Sequence, residues 1–383
     1  MATQIPTSMR ALTLSKYCKP NDYNLATLPT PSISQPDQLL IKVRAASVNP
    51  IDVKLAAGLG KYMEKATYAL HPPSHPIPSL QGPPCLTSPL TSFPYKLGYD
   101  LSGVVVAVGD SVSNFKIGDE VYSRIPASCR GSIAEYALST ASTTALKPKS
   151  VGWGAAASIP LAGQTALQSL DRGEELVEGG LRGKKVFIPG GLSGTGSFSV
   201  QLAKNVFGAG EVVSTLSTAK MGIVEGLLGK GTPDRIIDYT KSDVVKAVGR
   251  GTLDYMFDPV GGTLAAVPLM KKNGVIISIS TLPKAKHMQE YGDDVALFLR
   301  VMLDVVNWLL VTWTGWRGVR YEYWALAGST RDLERLAGWV DEGMVKPVVG
   351  MEVKLSDIEG VRKGCQQIYD AKGGVGKFVI LVD

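Results

Sequence analysis

Cysteine and histidine are scarce in this chain of 383 residues, with four of the first and three of the second. Cys18, Cys85, Cys129 and Cys365 show no CxxC spacing, which excludes a disulfide framework and a zinc site built on paired cysteines. His71 and His75 are four apart, but Pro72 and Pro73 forbid the regular helix that would set both rings on one face, so no metal site is expected. Charged residues make up only 19%, and 40 Lys+Arg against 34 Asp+Glu leave +6. No basic block is dense enough to argue for nucleic acid or anionic lipid, and a small anionic ligand is the better match. Residues 1–10 lack a basic-then-apolar leader and no Asn-x-Ser/Thr sequon occurs, so the cytoplasm is the expected location.

One long apolar run, residues 295–313, contains Arg300, Asp304 and Asn307, each costing ~2–3 kcal/mol or more at a bilayer centre, so no membrane span is expected. Its Leu299, Met302, Leu303, Val306 and Leu310 recur at helical spacing and predict a buried or oligomer-facing helix.

What is present is 45% hydrophobic residue, 42 Gly and 23 Pro, enough chain for two or three domains with cores of their own. Short β-type runs at 39–45, 103–108, 120–123 and 133–138, bounded by Gly, Pro and Asp, predict a partly open, mostly antiparallel barrel. From about 152 to 328 strands and helices alternate. Strands are predicted at 185–188, 211–216, 235–238, 253–257 and 275–280, and helices at 195–207, 220–228, 243–248 and 264–271. Repeated βα units of this length imply a doubly wound parallel sheet. A helix at 333–342 and a strand at 377–381 return the tail to the first domain. Residues 62–93, dense in Pro, Ser and Thr, read as an irregular insertion with no core periodicity and little weight in the fold.

The first strand of the βα series runs into Pro189-Gly-Gly-Leu-Ser-Gly-Thr-Gly196 and then a helix. Glycines at a strand-to-helix turn let backbone approach a pyrophosphate, and the helix N-terminus supplies N–H donors. Gly190, Gly191, Ser193, Gly194, Thr195 and Gly196 are therefore candidate cofactor contacts, an ordinary tight turn being the alternative. The second strand ends at Ser214-Thr-Leu-Ser-Thr-Ala-Lys220, without the acid that holds a ribose 2′-hydroxyl in NAD-type folds. Two hydroxyls and a cation there would welcome a 2′-phosphate, which favours NADPH; alternatively Ser217 and Thr218 only cap the next helix.

Several ordered motifs resemble one family. They are Ala46-Ser-Val-Asn-Pro-Ile-Asp-Val-Lys54, Leu97-Gly-Tyr-Asp-Leu-Ser-Gly103, Gly118-Asp-Glu-Val121, Gly131-Ser-Ile-Ala-Glu-Tyr136, Pro160-Leu-Ala-Gly-Gln-Thr-Ala166, Asp258-Pro-Val-Gly-Gly262 and Gly376-Lys377. Together with the glycine loop they look like the medium-chain dehydrogenases/reductases, nearest the zinc-independent quinone reductase and enoyl reductase branches. The resemblance covers about 9–383 apart from the insertion. It implies an α/β chain with a GroES-like, partly open β-barrel catalytic domain (1–151 and 329–383) and a Rossmann NADPH-binding domain (152–328).

Zinc enzymes of that superfamily carry Cys where this chain has Ser47-Val-Asn-Pro50, and Gly-His-Glu where it has Gly98-Tyr-Asp100. The N and S ligands zinc needs are missing. The family's Ala-x-x-Gly-x-x-Gly loop has Gly190 at the Ala position, Ser193 at the middle Gly and Gly196 at the last, a departure that weakens close backbone approach to the pyrophosphate. The chemistry implied is hydride transfer from NADPH to an activated alkene or a quinone.

Site residues carried over are Asn49 at the reaction cleft (or a turn residue before Pro50), Lys54 as proton donor or enolate holder (or a solvated lysine), and Tyr62 as a catalytic tyrosine. Thr165 is implied near the nicotinamide, Asp258, Val260 and Gly261 near the nicotinamide ribose, and Ile279 and Lys377 as further cofactor contacts. Ser217, Thr218, Lys220 and Tyr239 are implied around the 2′-phosphate. A homodimer is expected through a sixth strand near 320–326, anchored by Tyr321, Tyr323 and Trp324. Two further functions stay open: a trans-acting enoyl reductase for carrier-bound acyl thioesters, and a non-catalytic NADPH-binding protein.

Overall fold

The computed structural model describes residues 4–59, 93–281, 297–372 and 374–383; Tyr62 and nearly all of the 62–93 segment lie outside them. Strands β1 (Ser8–Leu14), β2 (Asn24–Pro29), β3 (Gln38–Val48), β4 (Tyr95–Lys96), β5 (Asp100–Val108), β6 (Glu120–Arg124), β7 (Tyr136–Thr140) and β8 (Thr144–Leu146) build the first domain. β3 is long enough to carry three partners. β5 runs along one edge, while β7 and a strand from the C-terminus share the other. Register shifts between Leu40 and Ile41 and between Val43 and Ala45 bulge β3. Such bulges bend and twist a strand, and here the sheet curls without closing into a barrel.

The second domain is a six-stranded parallel sheet of β9 (Lys185–Pro189), β10 (Glu211–Leu216), β11 (Arg235–Asp238), β12 (Leu253–Asp258), β13 (Met270–Ser278) and β14 (Arg320–Tyr323), in the order β11-β10-β9-β12-β13-β14. Its inner strands are apolar on both faces, as in Val186, Phe187 and Ile188 or Tyr255, Met256 and Phe257, because helices cover both sides. The chain winds outward from β9 to β11 and then restarts at β12 on β9's other side. That reversal is where doubly wound sheets open a ligand crevice at the C-terminal strand ends.

β15 (Val349–Lys354) and β16 (Lys377–Leu381) rejoin the first sheet beside β3. The preceding helix, Thr330–Asp341, instead packs Leu333, Leu336 and Val340 into the buried cluster that holds Val186 and Ile188. The tail therefore divides between the two cores.

Several expected elements change. The 220–228 helix breaks into Thr218–Met221 and Val224–Leu228 around Gly222. The 264–271 helix lasts only from Thr263 to Ala266, because Pro268 follows at once and β13 begins at Met270. The helix after the glycine loop starts at Gly194 and loosens into a π-turn over Leu202–Val206. The long apolar helix is present as Leu297–Trp316. Tyr321, expected at a subunit contact, is buried in its own domain with its hydroxyl 2.5 Å from that of Thr281.

Candidate active site

Asn49 ends β3's run and N-caps the Pro50–Ala56 helix in a capping box. Its backbone N–H donates to Asp52 Oδ2 at 2.6 Å. Its side chain points into a buried charge network. The ammonium of Lys377 donates to Asn49 Oδ1, and Asn49 Nδ2 donates to Asp100 Oδ2 at 2.9 Å. The amide orientation follows from its neighbours, since Lys only donates and a carboxylate only accepts. Ser47 Oγ donates to the same Asp100 oxygen at 3.1 Å, and Lys377 Nζ lies 3.4 Å from it. Asp100 Oδ1 accepts from Leu161 N at 3.0 Å, which sets a carboxylate on the positive end of the Pro160–Leu176 helix. Asp100 is fully buried and Lys377 is 5% exposed. A buried pair of charges persists only when hydrogen bonds support it; here Asp100 accepts from Leu161 N, Asn49 Nδ2 and Ser47 Oγ, and Lys377 has Asn49 Oδ1 and Asp100 as acceptors.

The network touches the glycine loop. Gly376 N donates to Leu192 O at 2.8 Å, and Ser193 and Gly376 form a parallel bridge. A Cβ on Gly194 would stand 3.0 Å from Lys377 Cδ. The last strand thus clamps the loop of the second domain onto the first domain's Asn49.

Within the loop, Gly190 has φ 71°, and a Cβ there would sit 3.1 Å from Val260 Cγ1. A Cβ on Gly191 would lie 2.3 Å from Ser214 Oγ, and one on Gly196 2.2 Å from Gly190 O. Only glycine lets these chains approach so closely. Ser193 is the N-cap of the Gly194–Gln201 helix, its Oγ accepting from Gly196 N at 3.0 Å. The serine that departs from the family loop therefore takes one of the N–H groups a helix start exposes. Those of Gly194 and Thr195, at the first two helical positions, have no intrahelical acceptor.

Asp258 does not present its carboxylate to a ligand. Oδ1 accepts from the N–H groups of Val260 (3.1 Å), Gly261 (2.8 Å) and Gly262 (3.0 Å), and Oδ2 binds the Thr263 hydroxyl. Its role is to shape the turn that carries exposed Val260 over the glycine loop. Ile279, half-buried, follows β13 with its N–H on Asp258 O at 3.2 Å. Thr165 is buried and its hydroxyl donates back to Leu161 O within its own helix. Lys54 stays exposed, on a helix whose Asp52, Val53, Leu55 and Ala56 are buried. Lys54, the other candidate of this motif, stays apart from Asn49, whose partner is Lys377, 328 positions away. Asp100 carries no functional signal in the Leu97–Gly103 sequence itself, because only tertiary contact with Lys377 gives it meaning.

The β10 end is more open. Ser217 occupies an N-cap position, yet its side chain makes no capping bond. Thr218 Oγ1 bonds Asp238 Oδ2 at 2.5 Å and Thr240 Oγ1 at 3.0 Å. Hydrogen bonds from Thr218 and Thr240 hold the Asp238 carboxyl below its usual range. Lys220 Nζ donates to Gly374 O at 2.9 Å, and partial burial lowers its pKa. Tyr239 is exposed just past β11.

Asp52 lies beneath Asn49 with one carboxylate oxygen unpartnered, and burial pushes its pKa up to about 7. Among the described residues no group of three His, Cys, Asp or Glu side chains is placed to hold a metal ion, and no helix is long and apolar enough to cross a membrane.

Residues 35–162 match the alcohol dehydrogenase GroES-like domain family, and residues 233–363 the zinc-binding dehydrogenase family. A 2-methylene-furan-3-one reductase of Solanum lycopersicum is 35% identical over 72% of this chain, which spans only 63% of that relative's length. A mitochondrial NAD(P)H oxidoreductase of Mus musculus is 30% identical over 92% of this chain and 85% of its own. A trans-enoyl reductase of Aspergillus terreus is 27% identical over 100% of this chain and 99% of its own. Among solved structures, a quinone oxidoreductase from Coxiella burnetii superposes with a TM-score of 0.74 at 27% identity, over 98% of this chain and 100% of that one. With this fold, and with Asp100 neutralised by a lysine where a zinc enzyme keeps its ligands, the chain belongs to the medium-chain dehydrogenase/reductase superfamily, in its zinc-independent branch of quinone and enoyl reductases.

Proposed function

We propose that the chain is an NADPH-dependent reductase of activated C=C bonds, acting on α,β-unsaturated carbonyl compounds or quinones, and that it works as a homodimer. The observation that carries this reading is the buried Lys377–Asn49–Asp100 network clamped on the glycine loop at the sheet's reversal point. A dinucleotide fits the residues present. Gly190, Gly191 and Gly196 let the loop fold tightly against Val260, Ser214 and the Gly190 carbonyl, and the helix start this sets at Gly194 and Thr195 offers N–H donors to a pyrophosphate. Ser217, Lys220 and Tyr239 would hold a 2′-phosphate, and Val260 and Ile279 would border the nicotinamide. The bound cofactor would supply a hydride to the β-carbon of the alkene.

The protein's share is orientation and charge. As electrons move toward the carbonyl oxygen, a donor is needed there. Asn49 Nδ2 has two hydrogens, of which Asp100 takes one, so the second is the group we assign to that oxygen. Lys377 fixes the amide so that it presents Nδ2 and not Oδ1. A proton from water at the α-carbon completes the reduction.

The end-to-end likeness to a trans-enoyl reductase supports a second reading, in which the alkene is an enoyl group on a carrier-bound thioester. One screen separates them: NADPH oxidation measured with enones, quinones, aldehydes and acyl thioesters. Turnover of free enones or quinones is the expected result. Turnover of thioesters alone selects the second reading, and tight NADPH binding with no turnover overturns both.

A further inference from the structure

The helix Leu297–Trp316 lies on the outside of the parallel sheet beside β14. It buries Leu303 and Thr314 and half-buries Asn307 and Leu310, all on one side. The opposite side is also apolar. Phe298 is 71% exposed, Trp308 62% and Trp316 83%, with Val305 and Leu309 between them. A surface helix ordinarily turns charge to water, but Arg300 and Asp304 both fall outside this outward stripe by helical spacing.

The stripe has a register. Phe298, Met302, Val305, Leu309, Thr312 and Trp316 follow one another at steps of four and three, the seam along which two helices pack knobs into holes. A 20-residue helix is about 30 Å long, and among the described residues seven exposed large apolar side chains on its outward side amount to on the order of 800 Å². That exceeds the ~300–600 Å² patch a monomer ordinarily shows and equals what each partner gives a standard interface.

We propose that this stripe is a self-association surface, on which two copies of the chain pack their Leu297–Trp316 helices antiparallel about a two-fold axis. A dyad at the level of Asn307 sets Phe298 against the partner subunit's Trp316, Met302 against the partner's Thr312, and Val305 against the partner's Leu309. The seam pairs with its own reverse because its spacing reads the same in both directions, as an isologous contact requires. It also supplies the apolar anchors that Tyr321, turned inward, does not. The proposal rests on the homodimer reading alone and is independent of the reaction.

Sedimentation of the full chain at micromolar concentration tests it, with thermal melting run in parallel to confirm folding. Wild type is expected at twice 40.7 kDa. Val305→Lys and Leu309→Glu, each alone, should run as monomers with unchanged NADPH oxidation. Mixed one to one, the two variants should recover the dimer, because each lysine then meets a glutamate across the dyad. A monomeric wild type overturns the proposal, as does a dimer indifferent to both substitutions. Wild type that stays monomeric and co-sediments with vesicles of phosphatidylcholine and phosphatidylglycerol, with Val305→Lys released, overturns it in favour of a lipid surface.

Discussion

The two ends of the cofactor crevice are built on opposite principles. At the first-domain end, Lys377, Asn49, Asp100 and Ser47 are buried and every charge has a partner. At the β10 end, Thr218, Lys220, Asp238 and Tyr239 stand at or near the surface, and their hydrogen bonds compete with water. Charges in a low-dielectric interior interact strongly and cost much when left alone, while exposed ones are screened and contribute little. The first end therefore belongs to folding as much as to chemistry; the second is open to adjustment for one nucleotide over another at small structural cost.

The largest effect should come from the buried end. Lys377→Met leaves Asp100 charged, buried and without its cation, which costs about 3–5 kcal/mol for such pairs. Urea unfolding should show that loss, and adding Asp100→Asn should restore most of it by removing the stranded charge. Reductase turnover should stay low in the double variant, because nothing then fixes the Asn49 amide. Equal loss of stability in single and double variants would show that packing, not charge, is what Lys377 contributes.

At the open end, Lys220→Ala should leave the melting temperature nearly unchanged. A hydrogen bond to a charged group contributes about 1.5–3 kcal/mol, so NADPH should bind roughly ten- to 150-fold more weakly, with NADH little affected. The ratio of the two dissociation constants is the measurement. A wild type that binds both cofactors equally would remove the 2′-phosphate site from this end of the crevice.

Asp52 tests the buried end by pH. Its folded pKa of about 7 lies above the value near 4 of an unfolded chain. Below pH 4 both states hold the proton and Asp52 costs nothing. Between about 4 and 7 only the folded state holds it, so stability falls as pH rises through that window and levels off above 7. Asp52→Asn keeps an acceptor for the Asn49 N–H and should flatten this slope, leaving the variant on the order of 4 kcal/mol more stable than wild type at pH 8 and no different at pH 4. Parallel unfolding curves at the two pH values would show that the carboxyl is ionised in the native state.

The glycine loop and five of the parallel strands were legible in the sequence because both are local: a strand needs its own apolar run, and a phosphate turn its own glycines. β10 and β11 fall where the pattern put them. Helix ends were less legible where Gly222 and Pro268 acted as breakers inside apolar spacing. The Lys377–Asp100 pairing lies 277 positions apart and has no local trace. The family resemblance supplied Lys377 as a residue but not its partners. Lys54 is a candidate through the family resemblance alone, and its place on the Pro50–Ala56 helix leaves it exposed.

The smallest effect expected is at Ser193, and it bears most directly on why the loop departs from its family. Its Oγ accepts from Gly196 N and closes the first turn of the Gly194–Gln201 helix. Serine and glycine are both acceptable N-caps, so Ser193→Gly should lower stability by only a few tenths of a kcal/mol. The same change frees the Gly196 N–H and removes a side chain from the mouth of the turn. If that N–H points where a pyrophosphate sits, the variant should bind NADPH more tightly, by less than tenfold, and NADH by the same factor, since both share the pyrophosphate. Ser193→Ala separates the two effects. It too frees the N–H but keeps a Cβ and costs about 1 kcal/mol of helix capping. Tighter binding in both variants assigns the gain to the released donor. Tighter binding in glycine alone assigns it to closer backbone approach, and unchanged binding in both shows that the serine is a cap and nothing more.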